Sequence, residues 1–301
     1  MRPALVAVNA GILVAVVVAT VLMIRDASHE SVASGAVPAA KVDRFDGARA
    51  WSWVKRQIAY GQRPAGSPQL RRLADVLRTK LPRGRFEPLP TPGMRNVVGR
   101  LPGRGKAVII GAHYDTLATP DGFVGANNGA AGTAIVLELA RALARTDRPA
   151  GAPPIRFVLY DGEEPPGMPE DDPDFYHHGL RGSRADAQAN ARTTRAMILL
   201  DYVGGRGLRL PREGSSTPRL WAQLRGAAQA VGAGAVFPDR TGLTITDDHT
   251  PYLRAGVPAV DLIDWSYPGH SLRDGLARMS QRSLDAVGET VVELVRRIDG
   301  Q

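Results

Sequence analysis

Five short apolar runs decide what this chain can become: Asn96–Gly99, Ala107–Ile110, Ile155–Tyr160, Met197–Leu200 and Val257–Ile263. Each is continuous rather than alternating and is bounded by glycine, proline or charge, the pattern of strands buried on both faces. Stretches with helical spacing lie between them, at Gly132–Ala144, Pro218–Val231 and Ser280–Ile298. Two more come earlier, one from an Asp46 cap through Tyr60 and one from Gln69 to Leu81, separated by the breaker GQRPAGSP. Buried strands alternating with helices predict an α/β chain with a mostly parallel sheet covered on both faces.

The polar residues gather at one end of those strands. His113 and Asp115 follow the second run, Asp161, Glu163 and Glu164 the third, Asp201 the fourth, and Asp264 and His270 the last. The carboxyl edge of an open α/β sheet is where ligand sites form. A lone Glu-Glu pair is ordinarily a solvated turn. Directly after a buried strand, one carboxylate can bind a metal while the other serves as general base. His113 with an acid two residues on reads as a ligand oriented by a carboxylate. The chain has no cysteine, so any metal must use His, Asp or Glu. His177 and His178 lie in a long acidic insertion after the Glu pair, expected as an exposed loop or as a lid touching substrate. Trp265 and Tyr267, just before His270, could line a side-chain pocket.

Ala4–Ile24 carries no charge over 21 residues, the length that crosses a bilayer as a helix. The expected organisation is a membrane anchor at 1–28, a small polar linker at 29–45 and one catalytic domain at 46–301. The basic residues flanking the run slightly favour a single-pass protein with its domain outside the cytoplasm, or a secreted one if the segment is cleaved. The net charge of +8 comes from scattered arginines with no basic run longer than two, which argues against nucleic acid as a partner.

In order, HYDT at His113–Thr116, GANNGAAGTA at Gly125–Ala134, DGEE at Asp161–Glu164, LLDYVG at Leu199–Gly204 and DHTPYLRAGVPAV at Asp248–Val260 resemble the M28 zinc aminopeptidases and their relatives the glutaminyl cyclases. GQRPAGSP and NVVGRLPG upstream fit the same pattern, so the resemblance spans roughly Ala48 to Val295. It implies a zinc-exopeptidase-like, three-layer α/β/α fold with a mixed sheet and a pair of zinc ions. Carried onto this chain, His113 and Asp201 would bind one ion and Glu164 and His270 the other. Glu163 would be the general base, Asp115 would orient His113, and Asp248 and His249 would support the ligands.

The ligand that bridges both ions in the family falls on Asn128, where the pattern has aspartate. Two divalent ions about 3.5 Å apart repel by roughly 19 kcal/mol at an effective dielectric of 20. A carboxylate between them offsets part of that; an amide ligates without charge. One zinc, or reduced occupancy of two, is therefore expected, with Asp121 as a conceivable substitute bridge.

The leading functional expectation is a membrane-tethered aminopeptidase that activates water to cleave peptide or protein N-termini. A glutaminyl-cyclase-like acyl transferase, which consumes no water and works with one zinc, is the second. Gly269 stands against it, because the cyclase pattern has a tryptophan before the histidine. A non-catalytic ectodomain that keeps the fold for binding is the third. Asn128 favours that last reading and the retained ligand set opposes it.

Overall fold

The computed structural model describes residues 36–169 and 172–300. Six strands form one mixed sheet in the order β1-β2-β4-β3-β5-β6. They are β1 (Arg85–Pro88), β2 (Arg95–Leu101), β3 (Ala107–His113), β4 (Ile155–Tyr160), β5 (Thr194–Asp201) and β6 (Ala259–Ile263). The four strands from β4 to β6 run parallel, while β2 pairs antiparallel with β4 and β1 with β2. Five of the six were expected. β1 was not, because its four residues, RFEP, are neither apolar nor alternating; its burial is partial and it occupies the sheet edge.

The helices are α1 (Gly47–Ile58), α2 (Pro68–Arg78), α3 (Ala130–Ala144), α4 (Phe175–His178), α5 (Arg181–Asn190), α6 (Pro218–Ala230), α7 (Thr250–Arg254) and α8 (Gln281–Asp299). Asp46 caps α1 by accepting the Arg49 N–H, and Ser67 caps α2 through Leu70 N–H. Side chains alternate across the sheet. Val108, Ile110 and Ala112 of β3 join the larger core with α1, α2, α3, α6 and α8. Ile109 points the other way, packing with Val158, Met197, Leu199, Ala187 of α5 and Tyr252 of α7. The sheet is thus sandwiched between helices, as continuous apolar strands require.

α3 is buried almost all round, between the sheet and the outer helices α1 and α8. Its approach is set by Gly132: a Cβ there would lie 2.1 Å from the Leu200 carbonyl oxygen and 2.9 Å from Ala112 Cβ. Gly132→Ala is expected to destabilise by about 1–3 kcal/mol through overpacking. Urea unfolding should show a lower midpoint with an unchanged m-value.

One sequence expectation needs adjustment. The segment 37–45 does not behave as a free linker, because Val37 and Phe45 are buried and Arg44 pairs with Glu289 and Glu293 of α8. The polar composition that suggested a tether conceals these two apolar anchors. The Ala4–Ile24 run lies outside the described residues. Among the described residues, no helix is long and apolar enough to cross a membrane.

Candidate active site

Strand register brings the polar groups level. His113 is paired with Tyr160, the residue before Asp161, and Asp201 with Ile263, the residue before Asp264. β4 lies on one side of β3 and β5 on the other, so the chain reverses its direction of winding at β3. His113 ends that strand, at the switch point where crevices open in such sheets.

Asp115 locks the Glu pair in place. Its Oδ1 accepts the Glu163 N–H at 3.3 Å and its Oδ2 the Glu164 N–H at 3.2 Å. It also faces His113 Nδ1 at 3.5 Å, while Asp201 Oδ1 lies 3.4 Å from His113 Nε2 and Glu163 Oε2 3.9 Å from Nδ1. Neither ring nitrogen of His113 completes a hydrogen bond, and Glu164 Oε2 is likewise buried without a partner. Buried polar atoms are seldom left this way. With Nδ1 turned toward Asp115, His113 Nε2 beside Asp201 and the unpartnered Glu164 oxygen are donors of the kind that fit a metal cation such as zinc.

The asparagine turn is fixed from below. Asp274 accepts the N–H groups of Asn127 and Asn128 at 2.8 and 2.9 Å and the Tyr267 hydroxyl at 2.9 Å. Asn127 accepts the Gly204 N–H at 2.7 Å, tying the turn to the end of β5. Gly129, at φ 84°, then turns the chain into α3. Asn128 donates from Nδ2 to Glu164 Oε1 at 2.6 Å. At the position where the sequence resemblance expects a bridging carboxylate, an amide therefore pairs with Glu164 instead of repelling it.

Electrostatically the centre is overloaded with acid. Burial and the neighbouring Glu164 push the Glu163 carboxyl well above its ordinary range. Burial raises Glu164 to about 7, against the pull of His270, His113 and the Asn128 amide. Burial opposes a charge on His113, yet Asp115, Asp201 and Glu163 together drive its pKa well above normal. A cation is what such a cluster lacks.

A pocket of about 240 Å³ opens onto these groups. Asn128, Glu163, Glu164, Asp201 and His270 supply its polar side; Tyr202, Ile263, Trp265, Phe175, Leu243 and Ile245 its apolar wall. Tyr202 holds φ at 48°, unusual for a bulky residue, with its N–H donated to Asp201 Oδ1. Its ring lies 5.9 Å from His270 and 6.0 Å from Tyr267. A Cβ on Gly269 would fall 2.3 Å from that ring. The glycine is thus the space Tyr202 fills.

The structure gathers His113, Asp115, Asn128, Glu163, Glu164, Asp201 and His270 into this one centre. Asp248 is buried, with its N–H donated to Asp247, and His249 pairs with Glu213 and Ser215 on the far side of Asp247. Asp121 is exposed and is absent from the pocket wall, so it does not replace the bridge. His177 and His178 are exposed, facing Asp174 and Asp172, and the insertion reaches the pocket through Pro169 and Phe175 instead. Tyr202, Glu213 and Asp274 were not anticipated. For Asp274 a signal existed, an acid four residues beyond a candidate ligand; for the other two nothing local gives them away.

Residues 96–295 match the sequence model of peptidase family M28. Glutaminyl-peptide cyclotransferase of Boiga irregularis is 28% identical, over 60% of this chain and 59% of that protein. The chain thus spans about three fifths of the length of the curated relatives it matches. Glutaminyl cyclase of Porphyromonas gingivalis superposes with a TM-score of 0.75 at 28% identity, covering 85% of this chain and 99% of that one. A leucine aminopeptidase precursor from Bacteroides thetaiotaomicron gives 0.73 at 27% identity, covering 85% and 99%.

Proposed function

The chain belongs to peptidase family M28, and on that premise we propose that it is a zinc-dependent acyl transferase of the glutaminyl-cyclase type. Its substrates are peptides or proteins with N-terminal glutamine, whose α-amine attacks the side-chain amide carbon as ammonia departs. The observation that carries this reading is the neutral Asn128 bonded to Glu164 in the bridging slot. It suits a centre with one ion, held by Glu164 and His270 with the Asn128 oxygen, better than a two-ion hydrolase. Bound there, zinc would polarise the amide carbonyl under attack.

The chain's own residues do the rest. Glu163 takes a proton from the attacking amine and delivers it to the leaving nitrogen, closing one C–N bond and breaking another with no water consumed. Its buried carboxyl, raised by its surroundings, suits a group that must take up and then release a proton. Asp115 keeps Glu163 in place through the backbone. Tyr202, Ile263 and Trp265 enclose the substrate side chain and exclude water. The Tyr202 ring, packed against Gly269, puts an aromatic surface beside His270 despite the missing tryptophan. That aromatic neighbour supports the cyclase reading where Gly269 argued against it.

A specific observation supports the aminopeptidase reading as well: His113 and Asp201, 3.4 Å apart, remain as donors for a second ion. Mass spectrometry of peptide substrates separates the two. A cyclase converts a glutaminyl peptide into its N-terminal lactam, lighter by one ammonia; an aminopeptidase yields a free amino acid and a shortened peptide. The expected product is the former. Shortened peptides would favour hydrolysis, and no turnover with zinc bound would favour a binding ectodomain. On this reading the chain meets its substrates outside the cytoplasm, tethered through Ala4–Ile24. Fractionation of the full-length chain with membranes supports the tether, and recovery from the soluble fraction with an intact N-terminus opposes it.

A further inference from the structure

We propose that Asp247, His249 and Asp261 form a second divalent-cation site, separate from the centre at His113, Glu164, Asp201 and His270, with zinc as the fitting ion. One donor atom from each of the three lies within 4.8 Å of the others, and all three residues are buried. Two bonds of about 2.1 Å span at most about 4.2 Å, so a bound ion would draw these donors together.

The donors are aimed inward and unused. Asp247 Oδ2, His249 Nδ1 and both Asp261 oxygens are buried without a hydrogen-bond partner. Their other atoms are occupied, which fixes the orientation. Asp247 Oδ1 accepts the Asp248 N–H, and the Asp261 N–H is donated to Ser216 Oγ at 2.9 Å. His249 Nε2 lies 3.1 Å from Glu213 Oε2 and 2.9 Å from Ser215 Oγ.

Glu213 decides the tautomer. Its carboxylate accepts the N–H groups of Ser215, Ser216 and Ile245. A carboxylate held by three backbone donors and placed 3.1 Å from Nε2 keeps the proton there and turns the Nδ1 lone pair into the cluster. Metal-binding histidines are oriented this way, with the distal N–H given to a carboxylate.

The alternative to a metal is a proton. One shared between Asp247 and Asp261 would relieve their mutual repulsion but would leave His249 Nδ1 unused. A second proton on the ring would not serve either, because Asp261 Oδ2 is 3.7 Å from Nδ1, beyond a hydrogen bond. A divalent ion satisfies all three donors and balances two carboxylate charges. The imidazole disfavours magnesium and calcium, and the absence of thiolate disfavours copper(I). Asp247 also lines the pocket, so the ion would border the substrate chamber.

The test uses the full chain with both halves of the first centre disabled by Glu164→Gln, His270→Ala and Asp201→Asn. Native mass spectrometry should count one zinc on this protein, and cobalt(II) in its place should show visible absorption with an imidazole ligand. Adding Asp261→Asn should abolish that ion. Glu213→Gln, a milder change that leaves the three donors in place, should weaken zinc about 10–100-fold. If the Asp261 variant does not fold, the cobalt spectrum of the parent and the Glu213 variant decide. A folded parent that binds no zinc at concentrations saturating the wild type overturns the site. So does an ion bound without imidazole, or one indifferent to Asp261 and Glu213. None of these outcomes depends on which reaction the pocket performs.

Discussion

Glu163→Gln lowers turnover by about 10²–10⁴-fold, the range for loss of a positioned acid–base group, while zinc content stays at the wild-type level. The amide has the same shape as the carboxyl but cannot exchange a proton. The link to Asp115 runs through the Glu163 backbone N–H and survives the change. Stability should move in the opposite direction. Burial and Glu164 raise the folded-state pKa of Glu163, so the fold prefers its protonated form. Stability is then full below about 4.5, the ordinary glutamate range, and declines as pH rises toward the folded value. In metal-free protein the Gln variant should therefore match wild type at low pH and exceed it near pH 8. Thermal melts with chelator, set beside single-turnover assays, read both effects. Zinc lost in parallel with activity would place Glu163 among the ligands, and unchanged turnover would remove it from the chemistry.

Asn128→Asp is expected to raise zinc stoichiometry in the first centre from about one ion to about two. A carboxylate between two cations offsets part of a repulsion of roughly 19 kcal/mol, and an amide offsets none by charge. The same change has a cost without metal. The 2.6 Å hydrogen bond from Asn128 to Glu164 becomes a contact between two carboxyl groups, so the apo variant should melt below wild type. Zinc should then raise its melting temperature by more than it raises the wild type's. If the centre is held at one ion only by this amide, the variant should also gain peptide-bond hydrolysis at the expense of cyclisation. Native mass spectrometry with Asp261→Asn in the background keeps the count to the first centre. Wild-type protein carrying two ions there would refute the charge argument.

Much of this centre is legible in the sequence because it depends on strand ends. His113, the Asp161–Glu164 group and Asp201 each follow a buried apolar run, and parallel register does the rest. What could not be read depends on contacts between distant segments. Glu213 matters through His249, 36 positions on, and its own surroundings, REGSS, look like any polar turn. Asp274 matters through a turn near residue 128; its place four residues past His270 hints at the site but not at that partner. α5 escaped notice for a related reason. Its sequence, RGSRADAQAN, has almost no apolar stripe, yet Ser183, Asp186 and Ala187 are buried against the sheet side. Asp186 is paired with Arg156 of β4, so charge pairing stands in for the hydrophobic face that sequence reading looks for.

Tyr202 and Gly269 behave as a single inheritable unit. A left-handed backbone costs a residue with a Cβ about 1–2 kcal/mol, which glycine at 202 would recover. That gain is smaller than the roughly 3–5 kcal/mol lost when a large buried aromatic side chain is deleted, so Tyr202→Gly alone is unfavourable and empties the wall beside His270. The reverse route is blocked too, since any side chain at 269 collides with the ring at 202. Each step is unfavourable taken first, whereas the double replacement, a small residue at 202 with a large one at 269, restores a filled wall by the other arrangement. Libraries that vary these positions one at a time would score both as immutable. Varied together, they would uncover the paired replacement that neither position allows alone.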